Sequence, residues 1–111
     1  MLYARFMKQQ TTDIPFTVEA RRLMQEENLT LRDLAEQAEV DDGYLAHVLN
    51  GKKRASEDLV LRVALALDLP VDFFIEYRRA AVEEYLKHEP QIVNRLYYGD
   101  VRGRLRKSLE S

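Results

Sequence analysis

A chain of 111 residues without cysteine suits one small domain and excludes disulfides, thiolate nucleophiles and cysteine zinc sites. Apolar residues make up 46% of the sequence, which is enough for a packed core, whereas two histidines are too few for a histidine metal site. The net charge of −2 provides no overall attraction for nucleic acid, so the local distribution of charge decides whether such binding is possible.

The sequence contains no feature of an exported or membrane protein. No apolar run approaches the length of a membrane span, and the first ten residues, MLYARFMKQQ, lack a signal-peptide core and cleavage site. The lack of cysteine agrees with a reducing compartment. We therefore expect a cytoplasmic protein that does not contact a membrane.

Residues 1–13 form a short arm in which Leu2, Tyr3, Phe6 and Met7 have near-helical spacing. The arm either packs on its own domain or helps to pair two subunits.

A first helix is predicted from Thr17 to Glu27, because Pro15 favours a helix start and Asn28 favours a helix end. Its apolar face contains Phe16, Ala20, Leu23 and Met24. Its other face, which we expect in water, contains Arg21, Arg22, Gln25, Glu26 and Glu27.

Two short helices follow between Leu29 and Lys53. Thr30 and Asp33 form the pattern of a capping box at the start of the first, and Asp41 is the predicted N-cap of the second. Asn50-Gly51 is a typical helix end. The apolar positions at helical spacing are Leu31, Leu34, Ala35 and Ala38, then Leu45, Val48 and Leu49. Two helices this short, with small residues near their contact, predict a helix-turn-helix.

A fourth helix begins after the N-cap Ser56 and ends at Asp68-Leu69-Pro70. Its apolar stripe contains Leu59, Val60, Val63, Ala64 and Leu67. A fifth helix is predicted to start at Pro70 or Asp72, with Phe73 and Phe74 closing the core.

The fifth helix is predicted to continue to about His88, and Pro90 suits the first position of a further helix. Gly99 and Gly103 should loosen the chain before a last, marginal amphipathic turn or two at Val101, Leu105 and Leu109. This tail has more apolar surface than a linker needs, so it either pairs subunits or folds back on its own domain. The candidate pairing residues are Tyr77, Val82, Tyr85, Leu86, Ile92, Val93, Leu96 and Tyr97.

The stretch LTLRDLAEQAEVDDGYLAHVLNGKK resembles the Xre-type, lambda-repressor-like helix-turn-helix family, and the similarity extends from Phe16 to about Phe74. The resemblance implies an all-α fold, a five-helix DNA-binding domain with additional C-terminal helices. We divide the chain into an arm (1–13), this domain (14–76) and a C-terminal helical extension for dimerisation or docking (77–111).

The resemblance also implies roles for individual residues. The family's base-reading positions correspond to Asp42, Gly43, Tyr44 and His47. Its phosphate-binding positions correspond to Thr30, Arg32, Asn50, Lys52, Lys53 and Arg54. Two departures stand out: Glu39 replaces the glycine often found in the turn, and Asp41-Asp42-Gly43 is an unusually acidic start for a helix that reads DNA.

The expected function is a transcriptional regulator that binds double-stranded DNA, a repressor acting as a homodimer on a two-fold-related operator. The alternative is an antitoxin-like or adaptor module that binds a protein partner through the C-terminal helices. No cofactor, metal site or catalytic constellation is visible, so we do not expect an enzyme; the adjacent acids Glu26-Glu27 and Glu83-Glu84 read as solvated helix faces.

Overall fold

The computed structural model describes residues 11–110, so the arm residues Leu2, Tyr3, Phe6 and Met7 lie outside the described part. Residues 11–110 form α-helices and one π-helical segment, with no strand among them. The helices are α1 (Phe16–Glu26), α2 (Leu31–Ala38), α3 (Asp42–Leu49), α4 (Glu57–Ala66), α5 (Ile75–Leu86), α6 (Pro90–Leu96) and α7 (Arg102–Glu110), and the π-helical segment is Tyr97–Val101. The predicted all-α class is confirmed for this part of the chain.

The chain divides after Ala80 into two compact units. In the N-terminal unit, α2 packs against both α3 and α4, and α1 packs against α3. The core contains aliphatic residues from all four helices and a cluster of three phenylalanines, in which Phe74 makes edge-to-face contacts with Phe16 at 4.9 Å and Phe73 at 5.0 Å. This packing holds the two helices of the predicted motif in one fixed arrangement.

The predicted starts of α2, α3 and α4 are confirmed. The Thr30 hydroxyl accepts from the Asp33 N–H, and the Asp33 carboxylate accepts from the Thr30 N–H, each at 3.0 Å. The side chains of Asp41 and Ser56 cap α3 and α4 in the same way, each accepting a backbone N–H three residues ahead. These signals are local, which is why the sequence alone reveals them.

The predicted start of the fifth helix at Pro70 or Asp72 is wrong, because α5 begins at Ile75. The Phe73 N–H donates to the Pro70 carbonyl at 3.0 Å, which closes a turn, and the Phe73 carbonyl accepts from the Thr12 N–H at 2.9 Å. A contact with a residue 61 positions earlier therefore takes the acceptor that a helix would use. The non-helical backbone places both adjacent phenylalanine rings in the core.

Two neighbouring arginines on α1 were both expected to face water, and both are exposed, but each has partners. Arg22 pairs within its own helix, with the Glu19 carboxylate at 2.5 Å and the Glu26 carboxylate at 2.8 Å. Its hydrogen bond to Glu19 raises the pKa of Arg22 above the usual value. Because Glu19 is buried, the pair satisfies a carboxylate that the core would otherwise leave without a partner. Arg21 reaches a different helix, as described below.

The C-terminal unit, residues 81–110, contains the end of α5, α6, the π-helical segment and α7. Pro90 occupies the first turn of α6 as predicted. The glycines do not loosen the chain, because Gly99 lies within the π-helical segment and Gly103 within the nine residues of α7. None of the residues 81–110 is buried.

Three helices of the N-terminal unit are followed by residues other than glycine in the left-handed conformation, namely Asn28, Glu39 and Asp68, with φ between 55° and 59°. Glu39 ends α2 at the position where the family often has glycine, with φ 57° and ψ 45°. A side chain in this conformation costs about 1–2 kcal/mol. The exposed ion pair of Glu39 with Arg62, at 3.9 Å, offsets little of that cost.

We expect Glu39→Gly to raise the free energy of unfolding by about 1 kcal/mol, or the midpoint of thermal unfolding by about 4–8 °C, because glycine adopts positive φ without strain. Circular dichroism during thermal unfolding measures this. The matched control is Glu36→Gly, the same replacement at an exposed position inside α2, which should destabilise by about 1 kcal/mol. Equal destabilisation by both replacements would contradict the assignment of strain to Glu39.

Candidate nucleic-acid interface

Helix α3 buries one face and leaves its first turn exposed. Leu45, Val48 and Leu49 are at most 5% exposed, whereas Asp42 and His47 lie on the surface. The Asp41 carboxylate accepts the Tyr44 N–H at 2.8 Å and so satisfies one of the N–H groups that the start of a helix leaves free. The leading end of α3 therefore projects from the core as a capped, ordered turn.

Gly43 belongs to this cap. A Cβ atom at that position would lie 3.0 Å from the Asp41 carboxylate oxygen that accepts the Tyr44 N–H. Glycine thus leaves room for the capping carboxylate, and it keeps the backbone of the exposed turn bare. A bare backbone permits a close approach to another molecule.

The acidic residues at the start of α3 are partly compensated. Asp41 is engaged as the cap, and the Asp42 carboxylate lies 4.0 Å from the Nε of Arg32 on α2. Both partners of the second pair are more than half exposed, so the attraction between them is weak, but it places a positive charge beside the negative one. The contact also brings the start of α2 next to the start of α3.

Tyr44 differs from the other predicted base-reading residues because it is only partly exposed and packs against the core. Its hydroxyl oxygen accepts the Ser56 N–H at 3.4 Å, and the ammonium group of Lys53 lies 5.9 Å from the centre of its ring. Tyr44 therefore braces the loop between α3 and α4. Its hydroxyl hydrogen remains able to donate, since the observed bond uses only the oxygen as acceptor.

The end of α3 forms the turn from which three basic residues follow. Gly51, with φ 78°, donates its N–H to the Val48 carbonyl at 3.0 Å, and the Lys52 N–H donates to the His47 carbonyl at 2.8 Å. This is a Schellman end, and only the glycine of the predicted Asn50-Gly51 pair takes the left-handed conformation. The side chains that emerge from it, all exposed, are Lys52, Lys53 and Arg54.

Arg21 on α1 contacts the end of α3, and the sequence alone did not reveal this contact. Its Nη2 donates to the Leu49 carbonyl at 2.9 Å and to the Asn50 side-chain oxygen at 2.7 Å, at the C-terminal end of α3. A cation is favourable there because the helix dipole is negative at its C-terminus. A helical pattern shows which face of α1 carries Arg21, but it does not show which helix end lies opposite.

The start of α2 carries the remaining predicted phosphate contacts. Thr30 is exposed, and its hydroxyl hydrogen is still able to donate although the oxygen already caps the helix. The Arg32 side chain is 85% exposed. Hydrogen bonds from Thr30, above all the one from its backbone N–H, hold the pKa of Asp33 below its usual value.

The proposed pairing residues are distributed over both units. Tyr77 lies in the N-terminal unit and packs against its core. In the C-terminal unit, Leu86 and Ile92 are half-buried. Val82, Tyr85, Val93, Leu96 and Tyr97 are between 40% and 56% exposed.

Within residues 11–110, no helix is long and apolar enough to cross a membrane. The same part of the chain contains no group of three or more histidine or acidic side chains arranged to hold a metal ion.

Comparison with known proteins agrees with the geometry. The family model described as helix-turn-helix matches residues 21–74, which includes α2, α3, α4 and the loop of basic residues. Neither curated proteins nor solved structures give a significant match to the chain. Residues 21–74 therefore form a helix-turn-helix domain of the Xre, lambda-repressor-like family, the domain of a DNA-binding transcriptional regulator.

Proposed function

We propose that the protein is a sequence-specific repressor that binds as a homodimer to a two-fold-related operator and blocks a promoter by occupying it. The observation that carries this proposal is the exposed leading end of α3, with exposed cations at the loop that follows the same helix. In domains of this type, the N-terminal end of the second helix of the motif enters the major groove.

Base recognition in this proposal rests on Asp42, Gly43 and His47, with Tyr44 at the edge of the surface. Asp42 is able to accept the amino group of cytosine, and His47 presents a ring nitrogen to a base edge. Gly43 allows the backbone to approach the bases closely. Because Tyr44 is anchored to the loop, its main role is to position that loop.

Phosphate binding supplies most of the affinity. The donors in each subunit are Thr30, Arg32, Asn50, Lys52, Lys53 and Arg54. About three or four of these donors, the cations Arg32, Lys52, Lys53 and Arg54, neutralise phosphates in each subunit. The resulting six to eight contacts per dimer give a slope of log affinity against log salt of roughly −5 to −7. With such a slope, the affinity is high at low salt in spite of the net charge of −2, and it falls steeply as the ionic strength rises.

Replacing Lys52, Lys53 and Arg54 together by alanine should weaken binding to a random-sequence duplex at least about tenfold. The salt slope should fall by about three per subunit, since each residue neutralises one phosphate. Fluorescence anisotropy of a labelled duplex, measured over a range of salt concentrations, tests both values.

The matched control replaces Arg79, Lys87 and Arg104 by alanine, because these exposed cations lie outside the matched region 21–74 and their loss changes the net charge equally. The control should bind nearly as well as the unmodified protein. Unchanged affinity in the first variant, or the same loss in both, would contradict the proposed phosphate contacts.

Subunit pairing is proposed to occur through the C-terminal unit. A unit of about thirty residues with no buried side chain lacks a core of its own, and units below about 40 residues usually need added support such as oligomerisation. A second copy of the same unit provides matching apolar surface. Pairing also raises the affinity for DNA, because a single helix-turn-helix contacts only one half-site and a dimer contacts two.

We expect Leu96→Glu to raise the dissociation constant of the dimer at least about tenfold, because it places a charge in an apolar contact. Sedimentation equilibrium measures this constant. Asn94→Glu adds the same charge to the same helix at a polar, exposed position and should leave the dimer intact. A protein that is monomeric before any replacement, or a Leu96→Glu dimer as tight as the original, would remove this account of the tail.

The second candidate function is an antitoxin-like or adaptor module that docks a protein partner. The acidic start of α3 and the exposed apolar residues of the C-terminal unit favour it. It differs from the repressor in one measurable respect: duplex binding at low salt would then be equally weak with and without the basic residues of the loop.

A further inference from the structure

The last four carbonyl groups of α3 all have donors, and one donor comes from another helix. A helix leaves these carbonyls without partners inside itself. Three of them accept backbone N–H groups from the turn that follows: Ala46 from Asn50 at 2.9 Å, Val48 from Gly51 at 3.0 Å and His47 from Lys52 at 2.8 Å. The fourth, Leu49, accepts Nη2 of Arg21 at 2.9 Å.

The same nitrogen of Arg21 donates to the side-chain amide of Asn50 at 2.7 Å. A guanidinium group only donates, so the atom of Asn50 that it meets is the amide oxygen. The other end of the amide, its NH₂ group, is therefore turned away from Arg21 with both hydrogens available. Asn50 is exposed, so this NH₂ group faces solvent beside the loop of basic residues.

We propose that Arg21 is a positioning residue for DNA binding: it fixes the Asn50 amide with its NH₂ group directed at a phosphate, and it holds the C-terminal end of α3 against α1. Lys52 follows directly from that end, because its own N–H bonds to the His47 carbonyl. This inference rests on the proposed DNA binding and adds to it a residue from α1, outside the two helices of the motif.

Arg21 differs in this respect from Arg22, whose partners Glu19 and Glu26 both belong to α1. The two N–H groups of Arg21 Nη2 lie in the plane of the guanidinium and point in fixed directions, and this nitrogen contacts two acceptors that belong to consecutive residues. A lysine keeps the charge but lacks the rigid fork of donors. Positioning by Arg21 therefore depends on its shape, whereas a direct contact with phosphate depends mainly on its charge.

The test is a double-mutant cycle of Arg21→Gln and Asn50→Ala, with the dissociation constant for a random-sequence duplex measured over a range of salt concentrations. Each single variant should bind about five- to tenfold more weakly, which is the effect of one or two hydrogen bonds. The double variant should bind no more weakly than Arg21→Gln alone, because that variant already loses the oriented amide that Asn50→Ala removes. The salt slope should stay unchanged, and Arg21→Lys should not restore binding.

Arg62→Gln is the control, since it makes the same change of charge on α4, where the arginine pairs with Asp58 and Glu39. It should leave duplex binding nearly unchanged. Circular dichroism at the assay temperature shows that every variant is folded.

Additive losses, with a salt slope smaller by about one per subunit, would show that Arg21 itself contacts phosphate and would overturn the positioning role. Full binding by Arg21→Lys would do the same. Failure of the unmodified protein to bind any duplex would instead reject the proposed function, so the two failures are distinguishable.

Discussion

The candidate DNA-binding surface depends on how α3, a helix of eight residues, is held in place. Such a helix is too short to be stable alone, so α3 exists because Leu45, Val48 and Leu49 are buried against the rest of the unit. Burial of each side chain contributes about 1.5–3 kcal/mol. All three lie after the first turn, and therefore the anchoring of the helix leaves its leading end outside the core. The Asp41 cap orders that end without covering it.

The same helix determines where charge is presented. The two acids at its start are used locally, one as the cap and the other beside Arg32. The helix ends in a turn at Gly51, and the loop that follows carries three exposed cationic side chains and is held by Tyr44. A net charge of −2 is therefore compatible with binding a polyanion, because binding depends on the local charge. The acids at the start of α3 have partners, and the cations after its end are exposed.

Much of the N-terminal unit was predictable because its signals are local. The capping box at Thr30, the caps at Asp41 and Ser56, and the apolar stripes all depend on residues within a few positions of one another. The left-handed conformation of Glu39 was predictable from the family resemblance, because the family often has glycine at that position. The base-reading and phosphate-binding assignments came from the family resemblance, and they stay predictions.

The features that the sequence did not reveal depend on contacts between distant residues. The start of α5 moved to Ile75 because the Phe73 carbonyl pairs with Thr12, and the role of Arg21 appears only once α1 lies beside the end of α3. The position of Tyr44 against the loop likewise needs the folded backbone. In the C-terminal unit, the glycines suggested a loosened chain, whereas a π-helical segment carries the helix past Gly99.

The central claim is that the leading end of α3 and the loop of basic residues form one surface that meets DNA. Titration of the isotopically labelled protein with a random-sequence duplex, followed by backbone amide NMR, tests it most directly. The account predicts the largest shift changes at residues 42–47 and 52–54, with little change on the outer face of α4 around Leu65. Changes concentrated in residues 81–110, with the amides of α3 unaffected, would contradict it.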